Sequence, residues 1–406
     1  MSLSSIKQDP IYVMLSLVVC FNFSKFWGDY IFSINHQVFT GLQIVTLLLF
    51  CVAIQTGTSK LRHNLIGIGF VSYHVARLVA EVCYQVADDF KLEIVIAATY
   101  STLRAIIIYY LYLVLKNSSK FNLNANGLKN VLLIYLVYTT FFSIAQLPYM
   151  PTAAVTSLYG GNFTSGNHLG FSRSNGGLGG TVIMYTNFLI FIAIMLSFTS
   201  FKKKYVSIFF KVIILVAGYL CFSRIFFLVL SMLWVGILLR KNPVIAIILV
   251  VSVIGFISSE FHEVISLYFE LIGNSDEARL RGWNLMLAEK NLLEHLFGVT
   301  VGANTGLITG DMYKMNGDGF ILSYLYDFGV VGVISLLILI YDSIKSAVLV
   351  AYDRLLVFAC VFCCLFVNSG FEKIFIVSVF FSFLLVIKIQ YGLTCSRKSV
   401  SVVQYV

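Results

Sequence analysis

The chain has very little of what interrupts or solvates a fold. Of its 406 residues only four are proline, and only 12% are Asp, Glu, Lys or Arg, about half the roughly 25% of an ordinary soluble domain. So few charges cannot cover the surface of a soluble globule, and that class is excluded. The scarcity of proline leaves apolar stretches unbroken. With 59% hydrophobic residues and a mean hydropathy of +0.90, these stretches run to about 17–25 residues, the length that crosses a ~30 Å hydrocarbon core as helix. Metal-binding cysteine patterns are equally scarce. The eight cysteines (Cys20, Cys51, Cys83, Cys221, Cys360, Cys363, Cys364 and Cys395) lie in apolar spans or the tail. Apart from the Cys360, Cys363, Cys364 cluster inside a span, none has CxxC spacing. They read as small apolar core residues, with no disulfide and no metal expected. No small-residue cleavage site follows a short apolar run at the N-terminus, so the first span is expected to stay as a signal anchor.

The expected architecture is an all-α polytopic membrane protein, one integral membrane domain over 1–406 with about twelve spans. They fall near 10–26, 38–56, 64–87, 94–115, 130–147, 181–200, 205–222, 225–239, 243–257, 319–341, 354–367 and 374–391. No internal repeat is visible. The net charge of +9 sits in short clusters between apolar runs, which reads as a topology signal and not as a nucleic-acid surface. With the N-terminus inside, sixteen Lys and Arg fall on the inner side and nine on the outer, and the run Lys202, Lys203, Lys204 lies inside. Because basic residues near helix ends stay cytoplasmic, both termini are expected there.

Only two connections are long, and both then lie outside: 148–180 and 258–318. Loops of this length tend to be functional. The first ends in the glycine-rich stretch 160–180, which carries one cation, Arg173, one histidine, His168, and no acid. Glycine-rich backbone can turn successive N–H groups toward an anion, and an arginine adds a bidentate fork. A flexible linker would have the same composition. The second opens with an apolar face of Phe261, Val264, Ile265, Tyr268, Phe269 and Ile272, expected to lie along the membrane surface. After Gly273 comes a capping-box-like start at Asn274 to Glu277, then a second outer helix expected from Ala278 through Phe297. Arg279 and Arg281 are two apart, about 200° around that helix, so one can serve a ligand while the other pairs with Asp276 or Glu277. Asp318 stands at the entrance of the next span, where it is either an N-cap or a carboxylate able to accept a proton from a hydroxyl.

Inside the spans, Arg77 and Glu81 are spaced i, i+4, and Arg104 lies in the middle of the next span. A charge at the bilayer centre costs ~2.5–3.5 kcal/mol on insertion scales, so these groups should face one another or a wet cavity. They are expected either to clamp the third and fourth spans together or to contact a substrate. Ser223 and Arg224 mark a tight outer turn that adds another surface cation.

A glycine-rich outer loop with Arg173, Ser223 and Arg224 opening a helix, and Arg279, Arg281, Gly282 and Trp283 in a large outer loop form one pattern. With Asp318, Gly319 and Phe320 leading to Phe328, Gly329, Val330, Val331 and Gly332, it resembles the bacterial O-antigen polymerase family. The resemblance implies a metal-independent, inverting glycosyltransferase of GT-C type in the bacterial inner membrane, with no cofactor. Its substrate would be an undecaprenyl-diphosphate-linked oligosaccharide repeat unit at the periplasmic face. Membrane lipid and a chain-length regulator protein would be its other partners. The related O-antigen ligases carry a His-Asn pair where this chain reads Gly317, Asp318, Gly319, a departure that favours polymerase. On this reading Asp318, Arg281 and Arg173 are the catalytic candidates, and Arg224, Arg279, His168, Arg77 and Arg104 are the substrate-binding ones. The arginines would stabilise charge developing on the leaving diphosphate. A secondary transporter or lipid-linked oligosaccharide flippase is the competing class.

Overall fold

The computed structural model describes residues 44–46, 48, 49, 52, 64–87, 92–120, 124–146, 165–168, 171–173, 182–201, 203–221, 223–260, 291–299, 320–367 and 374–403. Its α-helices in chain order are α1 (Leu65–Ala87), α2 (Leu92–Lys116), α3 (Ala125–Gln146), α4 (Val182–Phe198), α5 (Lys204–Cys221), α6 (Arg224–Lys241), α7 (Pro243–Glu260), α8 (Leu292–Phe297), α9 (Phe320–Ala347), α10 (Ala351–Val367) and α11 (Ile374–Val403). A 3₁₀ turn, Ser118–Lys120, follows α2. Between α3 and α4 lies a two-stranded antiparallel hairpin, β1 (Ser165–His168) and β2 (Phe171–Arg173). The glycine-rich connection, expected as irregular loop, therefore holds paired strands. The span expected at 10–26 lies outside the described residues, that at 38–56 is described only in part, and the helix expected at 374–391 runs on to Val403. The other nine of the twelve expected spans coincide with helices to within about six residues, because each apolar run is bounded by charge, glycine or proline. Pro243, for example, opens α7 at the first helical position, where its missing N–H is not needed.

Among the described residues five helices are long and apolar enough to cross a membrane: Leu65–Ala87, Ile94–Lys116, Ala125–Ala145, Lys204–Cys221 and Phe320–Ala347. The chain is a helical multi-pass membrane protein. Its side-chain distribution agrees with lipid as the outer solvent. In α1 the buried face carries His74, Glu81 and Gln85, while Ile68, Val75, Val79 and Val86 are exposed. A soluble amphipathic helix has the opposite arrangement, whereas in a bilayer polar side chains turn to the bundle interior.

Two helices are buried all round over their middle and occupy the centre. Residues 184–196 of α4 and 375–387 of α11 are buried at every position. The two pack on each other; α4 also touches α3, α5 and α6, and α11 touches α2, α3 and α9. In α3 the buried hydroxyls are satisfied within the helix. Thr140 Oγ1 donates to the Leu136 carbonyl and Ser143 Oγ to that of Thr139, each at 2.8 Å, the back-bond that lets such residues sit in a helix away from water.

Polar contacts gather the helix ends that strict alternation assigns to one side. Asn64 Nδ2 donates to the Tyr112 hydroxyl (2.6 Å), which donates to Asp342 Oδ2 (2.5 Å), and Lys116 Nζ pairs with the same oxygen at 2.6 Å. Lys388 Nζ donates to the Leu115 carbonyl at 2.6 Å, and Arg240 pairs with Asp353.

Candidate functional site

α9 is two helical segments. Gly329 has φ 63° and ψ −173°, a conformation essentially restricted to glycine, and it ends the first segment at Phe328. A helix that stops leaves its last carbonyls without N–H partners. Here those carbonyls are met from outside. The Tyr326 carbonyl accepts from Val299 N at 2.9 Å. The Asp327 carbonyl accepts from Arg77 Nη2 at 3.4 Å, and the Phe328 carbonyl from the Tyr73 hydroxyl at 2.5 Å. A cation at a helix C-terminus also complements its dipole.

The second partner at this junction is the return of the long connection. α8 begins at Asn291, whose side chain accepts from Glu294 N at 2.9 Å while Glu294 Oε2 accepts from Asn291 N at 2.9 Å. This reciprocal capping box fixes a helix start at 292. The expected unbroken helix from 278 to 297 is thereby corrected: asparagine with glutamate three residues on supplies a start signal inside it. α8 ends at Gly298, φ 86° and ψ 169°, and Gly298 lies against Gly329. A Cβ on Gly298 would clash with the Asp327 carbonyl, and one on Gly329 with the backbone of Leu296 and Gly298. Arg77 Nη2 then donates to the Val299 carbonyl at 2.5 Å, and the Tyr73 hydroxyl also reaches the Phe297 carbonyl at 3.2 Å.

Beside the junction is a buried polar and aromatic cluster. His74, 1% exposed, places Nδ1 2.7 Å from the Phe70 carbonyl. A carbonyl only accepts, so Nδ1 carries the proton and the neutral ring's Nε2 accepts from the Tyr324 hydroxyl. The imidazole packs on Phe328 with ring centroids 4.6 Å apart. Glu81 accepts from Gln85 Nε2 at 3.2 Å. Arg104 Nη2 donates to Ser101 Oγ at 3.2 Å, and its guanidinium lies over the Phe320 ring at 5.8 Å. Residues 320 to 328 of α9, about 12 Å of helix, thus meet Tyr73, His74 and Arg77 of α1, Arg104 of α2 and the loop return at Gly298 and Val299.

The structure therefore distributes the expected site residues as follows. Arg77 and Arg104 face the interior at one cluster. Arg77 holds α1 to the loop return and to broken α9 through carbonyls, acceptors that were not expected beside Glu81 and the fourth span. The reason is the break at Gly329, which supplies acceptors that sequence spacing does not reveal. Arg224 begins α6 after Ser223, as expected of a tight turn. His168 and Arg173 lie on opposite strands of the hairpin, in register with Phe171 and Ser165. Asp318, Arg279, Arg281 and the apolar face of 261–272 lie outside the described residues. Among the described residues no three His, Cys, Asp or Glu side chains gather as a metal site. His74, Tyr73, Tyr324 and Asp327 were not singled out from sequence. The available signal was the helical spacing of His74, Arg77, Glu81 and Gln85, which puts four polar residues on one stripe of a membrane span.

Comparison of the chain with protein families, with curated proteins and with solved structures finds no match.

Proposed function

We propose that this multi-pass membrane protein is a surface-polysaccharide polymerase: a metal-independent glycosyltransferase that joins undecaprenyl-diphosphate-linked oligosaccharide repeat units at the outer face of a bacterial inner membrane. The observation that carries the reading is the position of Arg104 over Phe320. Asp318 precedes Phe320 by two residues in the sequence. A carboxylate able to take a proton from an acceptor hydroxyl would then work beside a fixed guanidinium. The same long connection carries Arg279 and Arg281, and its return through α8 packs on the far end of that first α9 segment, at Gly329. Arg173 and Arg224 would complete the cationic surface for the leaving diphosphate, with the bidentate geometry that lysine lacks.

Roles follow for each group. Asp318 acts as general base on the attacking sugar hydroxyl. Arg281 and Arg173 hold the diphosphate as its bond to the anomeric carbon breaks, and Arg279, Arg224 and His168 bind the substrate around it. Both termini are cytoplasmic in this reading.

The broken α9 favours a second reading, a transporter or flippase, since transporters build midplane sites on discontinuous helices. Against it, the carbonyls freed at Gly329 are occupied by Tyr73, Arg77 and Val299 and do not line an ion site.

The test is the surface-polysaccharide ladder of a strain lacking the protein. Loss of every band beyond core plus one repeat unit supports polymerase, and loss of that unit as well supports ligase or flippase. Alanine and lysine variants of Arg173 and Arg281, matched for membrane abundance, should shorten the ladder by the roughly hundred- to thousandfold rate loss of one transition-state donor. Full ladders from both alanine variants overturn the assignment of these arginines.

A further inference from the structure

We propose that the cavity where the ends of α4, α6, α10 and α11 meet binds a phosphate group, supplied by an anionic phospholipid headgroup or by free phosphate. The cavity has a volume of about 420 Å³, and Thr199, Ser200, Arg240, Lys241, Asp353 and Gln390 are among its lining residues. It lies at the bundle end opposite the α8–α9 junction, and the inference does not rest on the glycosyl-transfer reading.

Charge and donor chemistry point to an anion. Asp353, 1% exposed, pairs with Arg240 and so fixes the guanidinium at the cavity wall. Lys241 adds an exposed ammonium with no ion-pair partner among the described residues. Lys129 Nζ donates to the carbonyl of the lining residue Ser200 at 3.3 Å and sits 4.6 Å from the Phe201 ring centre. Two cations, Arg240 and Lys241, thus line the space against one carboxylate, and a third, Lys129, is held next to it on the Ser200 carbonyl. The Thr199 hydroxyl oxygen is buried without a hydrogen-bond partner, and a phosphate oxygen would accept its proton. Cations in the last turn of α6 also suit the helix dipole, which accounts for Arg240 and Lys241 but not for a cavity with a third cation beside it. Basic pockets between membrane helices on the cytoplasmic side are where anionic headgroups dock. Leu239 and Leu355, 37% and 64% exposed on two of these helices, offer apolar surface for attached acyl chains.

The experiment uses the full-length protein in nanodiscs of phosphatidylcholine with phosphatidylglycerol as the minor lipid, and reads by mass spectrometry the lipid that stays bound on release. Phosphatidylglycerol should be enriched on the wild type and bind about fivefold more weakly to Lys241→Ala, the effect of one basic residue near a membrane surface. Lys345→Ala, an exposed cation at the same bundle end but outside the cavity, should match the wild type. Displacement of the bound phosphatidylglycerol by inorganic phosphate identifies a soluble anion as the occupant, and retention in its presence identifies the lipid. The proposal is overturned if phosphatidylglycerol is not enriched and inorganic phosphate gives no thermal stabilisation, or if Lys241→Ala retains phosphatidylglycerol as the wild type does.

Discussion

Arg77 Nη2 donates to the carbonyl of Val299, 222 residues further along the chain, at 2.5 Å. The bond fastens the returning end of the long 258–318 connection to a membrane span, and its second acceptor, the Asp327 carbonyl, ties in the broken helix. A hydrogen bond from a charged group contributes about 1.5–3 kcal/mol. Arg77→Ala is therefore expected to lower unfolding free energy in detergent by roughly that amount. Arg77→Lys should recover only part, since both bonds are made by the terminal nitrogen Nη2, at the end of a longer and more rigid side chain than that of lysine. Equal stability of Arg77→Ala and wild type would remove this anchoring role.

The facing glycines should be intolerant of any side chain. Gly298→Ala and Gly329→Ala each force a residue with a Cβ into a conformation costing about 1–3 kcal/mol, and each also drives the Cβ into opposing backbone. Gly69→Ala is the control, because a Cβ there meets nothing within 4 Å. Thermal midpoints of the purified variants should fall sharply for the first two and stay within experimental error for the third.

Tyr324→Phe removes the donor to His74 Nε2 and leaves a buried acceptor unsatisfied, at a cost of about 1–3 kcal/mol. His74→Phe removes the acceptor. If the two groups act on each other, the double variant loses less than the sum of the singles, and a double-mutant cycle in urea or heat measures the difference. Strict additivity would show that the pair contributes no coupling.

Orientation can be read with reporter fusions after Phe163, Lys203 and Lys290. Alkaline phosphatase should be active at Phe163 and Lys290 and inactive at Lys203, following the sixteen-to-nine distribution of basic residues. High phosphatase activity at Lys203 would invert the topology, and with it the assignment of the junction to the outer face.

Membrane character, the positions of the spans and the two long connections were determined by the sequence alone. They follow from length and polarity: a run of about twenty apolar residues in lipid has no option but helix, and charges mark its ends. That logic places α1 at Leu65–Ala87 and α6 directly after Ser223. It also places Arg77 and Arg104 inside the bundle, because buried charge must face protein. Tertiary structure alone decided their partners. The break at Gly329 is invisible to hydropathy, since Phe328 to Gly332 is as apolar as any helical run. Only the approach of Gly298 makes glycine necessary there, and only the break frees the carbonyls that Tyr73 and Arg77 cap. The hairpin at Ser165–Arg173 likewise depends on pairing between strands too short and too polar to announce themselves. Local composition fixes which segments must be helical, but contacts between residues more than two hundred positions apart have no period to betray them.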